Sequence, residues 1–552
     1  MISTADPTDP WLRKAQTFPR LNEDMIARLA AYGTEETAPE RQLLFRRGDR
    51  AVDFFVVIEG EVRVYADHPL VGRRHLFNYG AGQFSGEQIL FTDRPALLSG
   101  ECSAGTRFIR VPHRRFRAML TGESDIGETI MRAFVLRRAG LLRHQSGGVL
   151  LIGHRDSAEL LGLERFLIRN LYPAEVLDAT DRERATAVLG PLDITEEDLP
   201  VAVTQDREAI KGATNAVLAD RLGLFEPPQA DTVHDVAIVG GGPAGLAAAV
   251  YAASEGLKTV VIETMAPGGQ AGTSSRIENY LGFPTGISGQ ALAGRAHMQA
   301  QKFGARICVS RSVEALDCDI APYGLALSDG RTIRAWSVVI SSGARYRKLD
   351  LPEYDRFEGH GIHYAATALE ADLCVQQPVF VVGGGNSAGQ AAVFLAQSAQ
   401  HVHMLVRGDI AATMSDYLVQ RIRNSHHITL HEHSEVTALQ GENRLERVSW
   451  IDRKAGVENL TPASHLFVMI GASPNTGWLK GCVALDRSGF VQTGPGFAPA
   501  EETSPHATSR AGIFAVGDVR SESVKRVASA VGEGAVVVAA IHRYLAGHRP
   551  LR

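Results

Sequence analysis

One stretch of the sequence, residues 234–263, constrains the fold more than any other. It reads HDVAIVGGGPAGLAAAVYAASEGLKTVVIE: a short apolar run, a glycine cluster, an alanine-rich run and a second apolar run that ends in Glu263. This order predicts a buried parallel strand, a tight turn, a helix and a second strand. Glycines let a backbone approach a pyrophosphate, a helix N-terminus supplies N–H groups to it, and a terminal carboxylate can accept ribose hydroxyls. The predicted dinucleotide site consists of Gly240, Gly242, Pro243, Ala244, Gly245 and Glu263.

The same order of strand, glycines, helix and strand occurs again at residues 378–407. The apolar run 378–382 precedes a second glycine cluster, and the next strand, 402–406, ends in an arginine. A terminal acid there favours NAD, whereas an arginine can hold a 2′-phosphate, so we expect NADPH rather than NADH. Arg421 and Arg423 add positive charge one helix later. The second predicted site consists of Gly383, Gly385, Asn386, Ser387, Ala388 and Arg407.

Composition limits the class of protein. A chain of 552 residues with 45% hydrophobic and 22% charged residues is long enough for roughly three to four soluble domains. A net charge of −5 without a basic tail argues against nucleic acid as a partner. We expect no membrane span, no signal peptide and no metal site. Five cysteines without a C-x-x-C spacing predict no disulfide framework and a cytoplasmic location.

Residues 43–111 contain short alternating runs separated by glycine turns, which predict a small antiparallel barrel or jelly roll. A helical stretch over 116–142 follows. The segment resembles a cyclic-nucleotide-binding domain, and the resemblance is carried by VVIEGEVRVY with Gly60, then Gly80, Phe84, Gly86 and Glu87.

The cyclic-nucleotide-binding family also places an arginine on the cyclic phosphate, about ten positions beyond the glycine and glutamate. Here that position falls near Ala96, and the nearest arginine is Arg94. A phosphate without a guanidinium lacks its bidentate partner. Two readings therefore stay open: a nucleotide ligand at the barrel, or a ligand-free docking or regulatory module.

The segment 147–227 predicts a strand at 149–152, a helix at 157–170, and strands at 175–179 and 199–203, with a last helix at 213–222. This order resembles a thioredoxin or glutaredoxin fold, with Pro200 where that fold has its cis-proline. Ser157 and Leu160 stand where the family has its redox cysteines, and the segment contains no cysteine. Because disulfide exchange needs a thiolate, we expect this segment to dock something rather than to react.

From about residue 232 to its end the chain resembles low-molecular-weight thioredoxin reductases. The stretch APGGQAGTSSRIENYLGFP and the later strand and turn AGIFAVGDV are the two motifs that wrap the flavin in that family. The resemblance implies FAD, with a helix whose N-terminal dipole stabilises a reduced, anionic flavin. It assigns to the flavin Gly268, Gly269, Gln270, Asn279, Gly517, Asp518, Arg526 and Val527.

The redox dithiol of that family is absent. Where the family has a C-A-T-C-type pair after a tyrosine, this chain reads Tyr364-Ala365-Ala366-Thr367-Ala368. An alanine cannot be a nucleophile. Cys374, six residues on, is predicted to be a small buried core residue rather than a replacement thiol.

We therefore predict a multidomain chain: an N-terminal β-barrel of cyclic-nucleotide-binding type, an α/β thioredoxin-like segment, and two Rossmann-like domains for FAD and NAD(P)H. The expected boundaries are 1–146, 147–227, 228–347, 348–470 and 471–552, with the nicotinamide domain inserted in the flavin domain. The expected function is electron transfer from NADPH through FAD to a small molecule or redox protein, in a homodimer. No side chain is predicted to act as a catalytic acid or base. Two alternatives are a non-catalytic flavin or nucleotide sensor and a thioredoxin reductase that uses Cys374.

Overall fold

The structure is a computed structural model. It describes residues 9–549 apart from positions 87, 93, 182, 183, 186, 187, 189, 228–231, 275, 359, 365, 367 and 501. Within these residues no helix combines the length and the apolar character needed to cross a membrane.

The N-terminal segment contains two antiparallel sheets, as predicted. One has the strand order Thr34–Thr37, Arg107–Val111, Phe54–Glu59, and the other has the order Gln42–Phe45, Ser99–Cys102, Glu61–His68, Gly72–Gly80. The single predicted helix is two, His113–Gly122 and Ser124–Arg143, preceded in the chain by Lys14–Thr17 and Glu23–Leu29. No ladder among the described residues joins the two sheets into a ring, so closure into a barrel stays a prediction.

The strand Phe54–Glu59 explains why this segment has so long an apolar run. Phe55 and Val57 pack into the core shared with the second sheet. Phe54 and Val56 face the other way, into a core shared with the C-terminal helices of the segment. Because both of its faces are buried, the strand reads as continuously apolar rather than alternating.

Within the described part of the chain, the middle segment contains a four-stranded sheet flanked by helices, close to the predicted order. The strand order is Ala209–Ile210, Val201–Val203, Val149–Gly153, Ala174–Asp178, and the fully described helices include Ala158–Arg169 and Asn215–Arg221. The Leu199–Pro200 peptide bond is cis, as the resemblance implied. Ser157 is the N-cap of the first helix, where its Oγ accepts a hydrogen bond from the backbone N–H of Leu160 at 3.1 Å.

A parallel sheet holds the first glycine cluster. Its strands follow the order Arg306–Val309, Thr259–Glu263, Val233–Val239, Thr332–Ile340, Ile513–Ala515, and antiparallel strands Tyr323–Leu327 and Val313–Asp317 extend it. The helices are Pro243–Ser254, Gly289–Lys302 and Val527–His548. The last parallel strand comes from far along the chain, as expected if another unit is inserted. The carboxyl ends of the parallel strands share one edge, where dinucleotides bind in such sheets.

A second parallel sheet holds the second glycine cluster. Its order is Ile362–His363, His465–Val468, Pro378–Val382, His401–Val406, Ile428–Glu432. An antiparallel sheet of Ser434–Gln440, Arg447–Asp452 and Val457–Pro462 adjoins it, and the helices are Tyr354–Phe357, Ala368–Leu373, Asn386–Leu395 and Asp416–Arg423. The chain enters and leaves this unit through Ala344–Tyr346 and Ala472–Pro474, which pair as a two-stranded antiparallel ribbon.

A disulfide bond joins Cys318 to Cys482. The sequence predicted no disulfide framework, and it did not anticipate this single bond. The two cysteines are 164 residues apart in sequence, with the second parallel sheet between them, so no local spacing signals the pair. Cys102, Cys308 and Cys374 are buried free thiols.

Candidate functional site

The first glycine turn has a backbone that only glycine fits. Gly240 has φ +106°, and a Cβ atom there would lie 2.2 Å from the carbonyl oxygen of Ser341. A Cβ at Gly245 would lie 1.9 Å from the carbonyl oxygen of Gly240. The turn, the helix and the end of the neighbouring strand Thr332–Ile340 are therefore packed at backbone contact, as the fingerprint requires.

Glu263 lies beside this turn and is only 8% exposed. Its Oε2 accepts a hydrogen bond from the N–H of Gly241 at 2.7 Å, and its Oε1 accepts one from Met265 at 3.0 Å. The carboxylate thus fixes the glycine turn, a role that sequence analysis did not foresee. Two carboxylate oxygens have about four lone-pair sites, so acceptor capacity for ribose hydroxyls remains.

Three helices that follow the predicted nucleotide motifs begin without a side-chain cap. Gly242, Gly385 and Arg526 are the N-cap residues of these helices, and none accepts a side-chain capping hydrogen bond. Other helices of the chain are capped, for example by Ser157 and Ser288. The uncapped N–H groups carry partial positive charge, and they suit an anionic group such as a pyrophosphate.

The second predicted flavin turn packs on the first. Gly268 and Gly269 have φ +109° and +53°, and the N–H of Gly268 donates to the carbonyl oxygen of Gly241 at 2.7 Å. An apolar cavity of about 370 Å³ adjoins this turn, and its lining includes Pro243, Gly268 and Val527. The structure therefore brings residues from three of the predicted motifs to one cavity.

Two other predicted flavin residues have different surroundings. Gln270 donates its Nε2 hydrogen bond to the carbonyl oxygen of Ala344, at the entry to the inserted unit. Asn279 is exposed, and its side chain makes no hydrogen bond among the described residues. These positions do not line the cavity, so their contact with a flavin stays a prediction.

Asp518 lies half-buried in the turn after the strand Ile513–Ala515. Burial raises the pKa of its carboxyl group, and no described residue donates a hydrogen bond to the carboxylate. The neighbouring N–H of Gly517 donates to Glu533 at 2.7 Å, and Arg520 pairs with the same glutamate at 2.7 Å. Glu533, which sequence analysis missed, thus fixes the turn and leaves Asp518 available for a ligand hydroxyl.

The second glycine turn repeats the geometry of the first. Gly383 has φ +141°, and a Cβ atom there would lie 2.3 Å from the carbonyl oxygen of Met469. Asn386 Oδ1 accepts a hydrogen bond from the N–H of Ser415 at 2.7 Å, Ser387 is exposed and Ala388 is buried. This turn and its uncapped helix suit a second anionic dinucleotide.

Of the three basic residues near the second turn, only Arg407 is unengaged within the described part of the chain, where it is exposed and forms no ion pair. Arg421 pairs with Glu278 at 3.0 Å, and Arg423 lies 3.7 Å from Glu432. Of these three, Arg407, directly after the strand His401–Val406, is therefore the residue whose charge is available for a 2′-phosphate.

The place of the missing dithiol is only partly described: Ala365 and Thr367 lie outside the described residues, and Ala368 begins the helix Ala368–Leu373. Cys374 is fully buried, and burial raises the pKa of its thiol to about 12. The thiolate is the reactive form of cysteine, so this thiol is unreactive at neutral pH. The prediction that Cys374 is a core residue is confirmed.

The arginine considered for a cyclic phosphate is paired within the chain. Arg94 Nε lies 3.3 Å from Oε1 of Glu226, and both side chains are about nine-tenths buried. Burial lowers the pKa of Arg94. Glu87, the family's ribose-binding position, lies outside the described residues. In this conformation the guanidinium holds the linker that enters the first parallel sheet.

These features fit a flavin dinucleotide at the first turn. The buried acid, the uncapped helix starts, the half-buried Asp518 without a hydrogen-bond donor, and the adjoining cavity supply the groups that such a ligand needs. The nicotinamide fit rests on the second turn and Arg407.

Two family profiles match the chain. The pyridine nucleotide-disulphide oxidoreductase profile matches residues 234–534, and the cyclic nucleotide-binding domain profile matches residues 35–123.

Relatives match over more than half of the chain. NADPH-dependent thioredoxin reductase 3 of Arabidopsis thaliana is 35% identical over 328 residues, which span 58% of this chain and 60% of that protein. A thioredoxin reductase of Mycolicibacterium smegmatis is 32% identical over 57% of this chain and 97% of its own length. The solved thioredoxin reductase of Lactococcus lactis has 26% identity and a TM-score of 0.52, over 57% of this chain and 99% of its own.

Proposed function

We propose that this chain, which belongs to the pyridine nucleotide-disulphide oxidoreductase family, passes electrons from NADPH through FAD to an external acceptor, without a redox dithiol of its own. One observation carries the proposal. Two glycine turns with uncapped helices lie at the strand ends of two parallel sheets, and one has a buried acid, Glu263, where the other has an exposed arginine, Arg407. An acid suits the free ribose of FAD, and an arginine suits the 2′-phosphate of NADPH.

The residues of the chain bind and orient in this scheme. Glu263 fixes the first turn, Asp518 is available to a hydroxyl of the flavin side chain, and the uncapped N–H groups of the helix that begins at Val527 would stabilise negative charge on a bound flavin. Bound FAD would supply the redox chemistry, taking two electrons from NADPH and releasing them to the acceptor. The protein would align the two nucleotides, and no side-chain acid is needed.

The absence of the dithiol defines what kind of acceptor fits. Alanine stands at positions 365 and 368, Cys374 is fully buried, and Cys318 and Cys482 are bonded to each other. We infer that the electrons leave the flavin directly, for a small molecule or a redox protein. The burial of Cys374 argues against the alternative of a thioredoxin reductase that uses this thiol.

The experiment uses the purified full-length chain reconstituted with FAD. NADPH added without oxygen should bleach the flavin absorbance, and NADH should do so more slowly. The rate of reoxidation of the flavin is then measured with quinones, ferredoxin-type proteins, oxygen and low-molecular-weight disulfides, to identify the class of electron acceptor. A colourless chain that cannot be reconstituted with FAD refutes the proposal.

The second candidate is a non-catalytic sensor that reports flavin or nucleotide state to a partner. The pairing of Arg94 with Glu226 favours it, because a ligand phosphate that took this guanidinium would release the linker into the flavin domain. Stopped-flow spectra separate the two functions. Fast reduction with efficient turnover on any acceptor supports the enzyme, whereas reduction too slow for turnover, with a shape change in X-ray scattering, supports the sensor.

A further inference from the structure

One helix of the middle segment, Ala158–Arg169, ends against the first dinucleotide site. Arg169 Nη2 donates a hydrogen bond to the carbonyl oxygen of Gly269 at 2.8 Å. Asn170 Nδ2 donates one to the carbonyl oxygen of Met265 at 3.0 Å. In the other direction, Gln290 Nε2 donates to the carbonyl oxygen of Ile168 at 3.1 Å.

The two carbonyl groups that receive these bonds lie at either end of one loop, residues 264–270. This loop leaves the strand that ends in Glu263 and forms the turn that packs on the first glycine cluster. A Cβ atom at Gly269 would lie 2.9 Å from the Cα of Gly242, so the loop and the cluster are in backbone contact. The position of the loop therefore sets the space left for a dinucleotide above Gly242.

Arg169 is an unusual residue to use for this purpose. Its Nε atom is buried and has no hydrogen-bond partner among the described residues. Burial lowers the pKa of the guanidinium, while the nearby acidic groups of Glu263 and Tyr346 oppose that shift. Within the described part of the chain, its hydrogen bonds with loop 264–270 are the one to the carbonyl oxygen of Gly269 and a weak one from Nη1 to the sulfur of Met265 at 3.2 Å. A desolvated cation with two neutral acceptors is costly unless more negative charge comes close, as a bound pyrophosphate would provide.

We propose that Arg169 and Asn170 are positioning residues of the first dinucleotide site, and that they hold loop 264–270 in the conformation that binds FAD tightly. The inference rests on the proposed function, because it takes FAD as the ligand of that site. It gives the thiol-free middle segment a function: the segment completes the cofactor site of a neighbouring domain. Displacing the segment then loosens the flavin.

The test measures the dissociation constant of FAD with full-length apoprotein, by the quenching of FAD fluorescence. Arg169→Ala should raise this constant at least tenfold. Arg169→Lys should recover most of the affinity, because an ammonium group keeps the charge and one donor. Arg184→Ala is the matched control: this arginine is exposed on the same segment, 3.6 Å from Glu175, and its loss should leave the constant within twofold.

Hydrogen exchange in the absence of FAD provides a second readout. A purely global loss of stability would speed exchange throughout the chain, whereas loss of the Arg169 contact should speed it in one loop. The amides of residues 268–270 should exchange faster than in the wild type, strongly in Arg169→Ala and to a smaller extent in Arg169→Lys, with the second parallel sheet unchanged. If Arg169→Ala does not fold, the Lys variant and its exchange pattern decide.

The outcomes separate the two claims. A wild-type chain that binds no FAD overturns the proposed function and this inference with it. A wild-type chain that binds FAD, with folded Arg169 variants that bind it equally well and exchange equally slowly, overturns this inference alone.

Discussion

Replacing Glu263 by glutamine tests whether the buried acid holds the first glycine turn. The carboxylate accepts two backbone hydrogen bonds, from Gly241 at 2.7 Å and from Met265 at 3.0 Å. A glutamine has one acceptor oxygen, so its NH₂ group must face one of these donors. The change removes one charge-assisted hydrogen bond, worth about 1.5–3 kcal/mol. Because Gly241 belongs to the cofactor turn, we expect this loss to weaken FAD binding. A decrease of about 2 kcal/mol in binding free energy raises the FAD dissociation constant about 30-fold.

The assay is FAD titration of full-length apoprotein, with Glu255→Gln as the matched control. Glu255 is the C-cap of the helix Pro243–Ser254, which follows the first glycine turn; it is half-exposed and pairs with His542 at 2.9 Å. Since an exposed pair contributes about 0–1 kcal/mol, this control should stay within a few-fold of the wild type. A folded Glu263→Gln chain that binds FAD as tightly as the control would refute the reasoning.

Three further predictions follow from the second unit. Arg407→Ala should raise the KM for NADPH about tenfold and leave the KM for NADH within about twofold; an equal effect on both would remove the 2′-phosphate role. Cys374→Ser should leave the rate of flavin reduction and acceptor turnover unchanged, and a large loss would restore a thiol mechanism. Burial lowers the pKa of His403 and of His465 to about 4 in the folded chain. Between about pH 6.5 and 4 the unfolded chain therefore binds more protons than the folded chain, and the free energy of unfolding decreases as the pH is lowered. Urea unfolding followed by tryptophan fluorescence, to which Trp450 of the second unit contributes, should show this loss. An unfolding midpoint that stays constant over that pH range would contradict it.

The two glycine turns could be predicted from the sequence because their signal is local. Each needs a strand, a run of glycines and a helix in immediate succession, and the backbone contacts of Gly240, Gly245 and Gly383 show why no other residue serves. The uncapped helix starts follow from the same few residues. Short-range geometry of this kind depends only on residues that are neighbours in the sequence.

Contacts between distant segments left no such signal. Arg169 reaches Gly269 across 100 residues, and Cys318 meets Cys482 across 164. In each case the two partners lie in different segments, and the sequence pattern of each segment accounts for its own strands and helices without reference to the other segment. From sequence alone the middle segment therefore resembles a separate docking module, and nothing in its pattern indicates the contact with the cofactor loop.

The N-terminal arginine shows a third kind of limit. Arg94 was considered for a cyclic phosphate because of its distance along the chain from Gly86, but its carboxylate partner, Glu226, lies beyond the next folded segment. Spacing indicated the right class of fold, and the cyclic nucleotide-binding profile matches it. Which anion the guanidinium holds depends on tertiary packing.

The count of electrons taken up per flavin tests the central claim most directly. Full-length chain reconstituted with FAD is titrated with NADPH in the absence of oxygen, and the flavin absorbance is followed to complete bleaching. A chain that has no redox dithiol takes up two electrons per flavin, so one equivalent of NADPH should suffice, with Cys318–Cys482 still bonded afterwards. Uptake of four electrons per flavin, with two new thiols after the titration, would contradict the account.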